Sequence, residues 1–107
     1  MKNSVFLILI SIVLSCNKKN AENCIKDHIR YVSENVCGDH ANVSEYIFQG
    51  ETVYTTNTGN CPDNITNVID TKCNSIGFLG GFGGNDIVKG VKFSENSTFI
   101  KYHWKNN

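Results

Sequence analysis

Five cysteines in a chain of 107 residues constrain this sequence more than any other feature: Cys16, Cys24, Cys37, Cys61 and Cys73. A small exported domain pairs its cysteines, and an odd count leaves one thiol to explain. The first cysteine stands apart from the rest. It ends the run "MKNSVFLILISIVLSC", in which Val5 to Leu14 is apolar except for Ser11, and Lys2 places a positive charge ahead of it. That run suits a signal-peptide core and falls short of the roughly 20 residues that cross a bilayer as a helix.

The tetrapeptide Val13-Leu14-Ser15-Cys16 resembles a bacterial lipobox. The resemblance implies that Cys16 takes a lipid on its thiol and becomes the first residue after cleavage, so that residues 1–15 are a signal peptide. Two or three acyl chains anchor a protein stably, where one holds only marginally. Lipid on Cys16 also resolves the parity, because four cysteines remain and four can pair. Residues 16–20 then form the anchor and a short linker, in which Lys18 and Lys19 either touch lipid head groups or are simply solvated. Residues 21–107 form one small domain.

A domain of this size buries a limited core and often needs covalent staples. Its charge excludes one class of partner. The chain carries ten basic and ten acidic residues, and loss of Lys2 with the signal peptide leaves one more acid than base. Nucleic acid asks for a basic face, and none is present in this balance. The sequons at Asn42, Asn64 and Asn96 read as turn chemistry rather than as glycan acceptors.

The periodicity gives an α+β fold, with one N-terminal helix on a small antiparallel sheet. In "NAENCIKDHIRYVSENVCG", Ile25, Ile29, Val32 and Val36 share one helical face. Asn20 is placed to cap the start and Gly38 to end the helix in a left-handed conformation. Strands are expected at Val43–Phe48, Glu51–Thr56, Ile65–Asp70 and Ile76–Leu79, the first two joined at Gln49-Gly50. "IVKGVKF" and "TFIKYHW" read as a final hairpin around "SENS". The expected core is Ile25, Ile29, Val32, Val36, Ile47, Tyr54, Ile69, Ile100, Tyr102 and Trp104.

The same reading orders the cysteines. If Cys24 and Cys37 both lie on the helix they stand roughly 20 Å apart, beyond the ~7 Å that a disulfide tolerates between Cα atoms. The chain then runs back and forth through the strands, bringing Cys61 to Cys37 and Cys73 to Cys24. The expected pairs are Cys37–Cys61 and Cys24–Cys73.

Once the cysteines are spent, little chemistry remains. Cys37, Asp39 and His40 could form a metal corner with Cys61 and Cys73, but the spacing is not that of a zinc site and the compartment is oxidising. A catalytic thiol beside His28, His40 or His103 meets the same objection. Asp63, Asp70 and Asp86 lack the spacing of a calcium loop. "GFLGGFGGND" lacks the Gly-Lys-Ser/Thr ending of a phosphate loop. Its glycines Gly80, Gly81, Gly83 and Gly84 read as positions of positive φ. Phe78, Leu79 and Phe82 either tuck into the core or form an exposed contact patch. No catalytic residue, metal or cofactor is expected.

Several segments together carry a family likeness: the lipobox cysteine, "CIKDHI", "YIFQGETVY", "CPDNITNVID" and "GGFGGND". They resemble a family of small Bacteroidetes lipoproteins built on a domain of unknown function. Its Y-x-F-x-G-x-x-V-Y hairpin is matched by Tyr46, Phe48, Gly50, Val53 and Tyr54. The likeness spans most of residues 24–104, and the chain departs from it in having no cysteine after Cys73. It implies export and one domain, and it assigns no functional residue. In such lipoproteins a surface-export tag is acidic and close to the cysteine, whereas "CNKKN" has no acid before Glu22. The expected location is therefore the outer membrane, facing the periplasm.

The expected function is that of a non-enzymatic envelope lipoprotein, held to the bilayer through Cys16 and binding an envelope protein or ligand through its loops. The alternative is a small protease inhibitor or anti-toxin-like protein that uses the Gly77–Asp86 segment. An enzyme is the third reading.

Overall fold

The computed structural model describes residues 21–62 and 64–106. Cys16, the signal peptide, the linker and the Asn20 cap lie outside them. The described chain runs through helix α1 (Ala21–Glu34) and strands β1 (Asn42–Phe48), β2 (Glu51–Asn57), β3 (Ile65–Asp70) and β4 (Ser75–Gly80). It continues through β5 (Ile87–Val88), β6 (Val91–Lys92), a helical turn at Phe93–Asn96 and β7 (Ser97–Lys105). The class is α+β, as the periodicity predicts.

Five strands form one sheet in the order β4-β3-β2-β1-β7, with every neighbour antiparallel. The first four follow one another as a meander. The β1–β2 link is the tight turn at Gln49-Gly50, where both residues take positive φ (50° and 82°). Such a two-residue turn matches the right-handed twist of its strands. β7 then returns to the open edge of β1.

Alternation along β1 divides the core in two. Val43 and its neighbours face α1, where Ile25, Val32, Tyr54 and Ile69 are buried and Ile29 and Val36 pack at the margin. Phe48, Val53 and Val68 face the other way, against Val88 and Phe93 from the segment after β4. Both faces are covered, so the central strand β2 is buried from Val53 to Thr56.

Three expectations are corrected. The helix stops at Glu34 rather than at Gly38. The Asn35 side chain donates to the Tyr31 carbonyl at 2.7 Å, and the Asn35 amide turns back to Val32. Cys37 is thereby released to bridge Gly59.

The final hairpin forms differently as well. β5 pairs with β6 around Lys89-Gly90, another turn with positive φ at both residues, and "SEN" coils into the helical turn. β7 pairs with β1 instead.

Finally, Ile100 and Tyr102 are not core: they are 46% and 50% exposed. Register shifts between Val43 and Ser44, and between Glu45 and Tyr46, put Trp104 opposite Val43 but Tyr102 opposite Ser44, on the other face. Trp104 packs at the edge of the core with Val32 and Val43, and Ile47 is half-buried.

Cys24 is bonded to Cys73 and Cys37 to Cys61, the pairs that the path of the chain predicts. They mark the two ends of the sheet. At one end lie the start of α1, Cys73 and the turns Gln49-Gly50, Thr71–Asn74 and Lys89-Gly90, whose residues line a common cleft. At the other lie the end of α1, the Cys37–Cys61 bond, the segment after Gly80 and the end of β7. The chain-entropy model gives each bond about 3–4 kcal/mol, a decisive share for a domain this small.

Candidate functional site

The glycine-rich segment forms a short loop on a fixed base. Gly80 and Asn85 exchange two backbone hydrogen bonds, at 2.8 and 3.0 Å. The Asn85 side chain donates to the carbonyls of Phe78 and Ile87 at 2.7 and 3.0 Å, tying β4 to β5 beneath the loop. The Gly81 amide donates to the Asn64 carbonyl at 2.9 Å. Gly80, Gly81 and Gly84 take positive φ, as expected, whereas Gly83 does not. At Gly80 a side chain would also meet the Asn64 carbonyl oxygen at 3.1 Å.

On this base Phe82 is 97% exposed. A single exposed apolar residue is ordinary on a protein surface. Here, however, a whole phenyl ring is held out on a loop anchored at both ends. Phe78 and Leu79 belong to β4 rather than to the loop. Phe78 is 44% exposed, and Leu79 packs against the Val53–Val68–Phe93 core. The three residues are thus separated: Leu79 is structural, Phe78 is partly exposed on β4, and Phe82 is almost fully exposed on the loop.

Sequence reasoning missed a second exposed aromatic group. Phe99 and Tyr102 lie on β7 with ring centroids 4.9 Å apart, and Phe99 stands edge-on to Tyr46 at 5.6 Å. The Lys105 ammonium sits 4.8 Å from the Tyr102 ring centre. Regular alternation puts Phe99 on the face opposite Tyr102; the register shift between Glu45 and Tyr46 brings the two together. Burial raises the phenol pKa of Tyr46, and the neighbouring Tyr102 adds to it.

Several groups that could do acid–base chemistry brace the fold. The His103 ring meets the Glu45 carboxylate at 2.7 Å and stands edge-on to Tyr54. Burial, and then the Glu45 charge, raise the pKa of Tyr54. Ser44, next to this pair in sequence, points to the opposite face and donates to Asn42. Asp70 accepts from the amides of Lys72 and Asn74, and Asp86 holds the backbone and hydroxyl of Ser94. Asp63 lies outside the described residues. Cys24, His28 and Cys73 come within metal-ligand reach of one another, but both sulfurs are spent on their disulfide. Cys37 and Cys61 likewise leave Asp39 and His40 without a thiolate partner.

All three sequon asparagines use their amide N–H on neighbouring carbonyls: Asn42 on His40, Asn64 on Gly59, and Asn96 on Lys92, at 2.7–2.9 Å. Among the described residues, no helix is long and apolar enough to cross a membrane.

No curated protein and no solved structure gives a significant match to this chain. Residues 30–106 match one family, and by that match, which covers most of the sequence, the chain belongs to DUF6970, a domain of unknown function.

Proposed function

We propose that this chain is a lipid-anchored protein of a bacterial envelope, whose stapled domain binds a partner and does not transform a substrate. The observation that carries this reading is the pairing of four cysteines. It leaves Cys16 as the one thiol of five, placed directly after the apolar run. Disulfides of this kind belong to an oxidising compartment. The chemistry of Cys16 and the missing acid in "CNKKN" favour the outer membrane and its periplasmic face. A binding role is supported by Phe82, since a buried interface aromatic is a common energetic anchor.

Replacement of Cys16 by Ser tests the anchor. The variant should accumulate as a precursor that is neither cleaved nor held through lipid. Normal maturation and retention of Cys16→Ser would refute the reading.

The inhibitor reading fits the same loop less well. A segment that docks as an added strand must be extended. Gly81–Gly84 instead closes a tight turn, with the Gly84 amide donating to the Gly81 carbonyl at 3.2 Å. The purified domain in micromolar excess should leave a panel of proteases unaffected.

A further inference from the structure

We infer that the domain rests on its own bilayer by the end at which α1 begins, and that the Phe82 loop is carried on the end turned away from it. The inference builds on the anchored reading above and adds an orientation to it. α1 starts at Ala21, so the five residues Cys16–Asn20 are all that separate the proposed lipid from the folded domain. Fully extended, they reach at most about 18 Å. α1 alone is about 21 Å long, and the nine-residue β7 nearly 30 Å. The tether is therefore too short for the domain to turn over and bring its far end to the membrane.

The two ends are fixed by the covalent frame. Cys24, in the first turn of α1, is bonded to Cys73 in the β3–β4 turn. Lys72 and Lys89 share a cleft with Gln49 beside that turn, so these residues lie at the lipid end. The Phe82 loop is bonded to Asn64 near Cys61, and Lys105 lies beside Asn42, at the opposite end. The lipid-facing surface is close to neutral, because Glu51 and Asp70 line the same cleft as Lys72 and Lys89. The partner that fits it is the phospholipid bilayer that holds the anchor.

Lysine footprinting on the unsubstituted chain tests the orientation. With its disulfides intact, the chain from Cys16 onward offers one thiol, which can be coupled to a maleimide phospholipid in phosphatidylcholine vesicles. This coupling does not depend on what the cell attaches. Acylation of each lysine is then compared, by mass spectrometry, between the vesicle-bound and the free chain. We expect Lys72 and Lys89 to slow at least threefold on the vesicle and Lys105 to be unchanged. Equal slowing at both ends, or slowing of Lys105 alone, would overturn the orientation. Failure of the anchor itself is read separately from Cys16→Ser in cells, and it leaves the footprint unaffected.

Discussion

Glu45 on β1 and His103 on β7 meet at 2.7 Å, each side chain about four-fifths buried (19% and 21% exposed). The contact crosses the seam at which the last strand closes the sheet. It falls where β7 carries an extra residue relative to β1, so that His103 turns toward Glu45 and Tyr54. Loss of the imidazole strands a largely buried carboxylate. We expect His103→Ala to cost about 1–3 kcal/mol. In a domain of this size that is a fall in Tm of at least about 4 °C. Glu45→Gln, which keeps an acceptor for the ring, should cost less. Equal losses in the two variants would show that the carboxylate's charge, and not an acceptor oxygen alone, holds the seam.

Phe82 and Phe93 give opposite expectations from the same substitution. Phe93 is 4% exposed, between Phe48 and Tyr46, with ring centroids at 5.1 and 5.2 Å. Phe93→Ala should cost about 3–5 kcal/mol. Phe82→Ala removes nothing from the core and should change stability by less than about 0.5 kcal/mol. Thermal melts of the two variants measure this directly. A fall of around 10 °C for Phe82→Ala would make the ring a structural plug and remove it as a contact.

The glycines separate in the same manner. At Gly59, φ is 105° and a Cβ would come within 2.7 Å of the Cys37 carbonyl oxygen and 2.8 Å of that of Asp39. Both obstacles are backbone, so Gly59→Ala should destabilise by more than about 2 kcal/mol. Gly83 has no positive φ and no atom near its added Cβ. Gly83→Ala should be neutral or stabilise by up to about 1 kcal/mol, through the unfolded chain. Denaturant midpoints of both variants decide it. A large loss at Gly83 would mean that the loop depends on a conformation alanine cannot take.

Alkaline pH should weaken the fold through its tyrosines. The phenols of Tyr46 and Tyr54 are raised above 10.0, chiefly by burial. A folded pKa above the unfolded one means that the folded state holds its proton longer. This contribution is fully present below about pH 10 and is lost as pH rises through the folded values. Stability measured across that range should fall. In Tyr54→Phe, which keeps the ring and drops the phenol, the fall should be shallower. An unchanged slope would assign the pH dependence to other groups.

Much of the frame was legible from the sequence because it follows from local rules. The bounds of β3 were read directly from "ITNVID", and the β1–β2 turn from Gln49-Gly50. The cysteine pairs followed from the order of helix and strands, even though α1 ends before Cys37. The errors in the last strand have one source: which strand β7 joins is a non-local choice. "TFIKYHW" alternates well enough to pair with either β6 or β1, and the two irregularities at its seam have no mark in the sequence. They exposed Ile100 and Tyr102 and brought His103 inward. The second cover, with Val88 and Phe93, was missed because "VKGV" forms its own turn through a positive φ at Lys89, a conformation for which lysine gives no signal. The exposure of Phe82 was one of two outcomes left open, since glycines permit a loop to fold inward or outward alike.

The Cys24–Cys73 bond also decides how the molecule would carry a load. A pull at the N-terminus enters through the first turn of α1 and crosses to Cys73, 49 residues further along. The Cys37–Cys61 bond lies within the enclosed stretch, so β1 and β2 are shielded twice over and α1 and β3 once. If the opposing force is applied at Phe82, the only secondary structure left in line is β4, Ser75–Gly80. Tension between the start of the chain and its exposed loop would therefore peel one edge strand from β3 and could not stretch the rest of the domain.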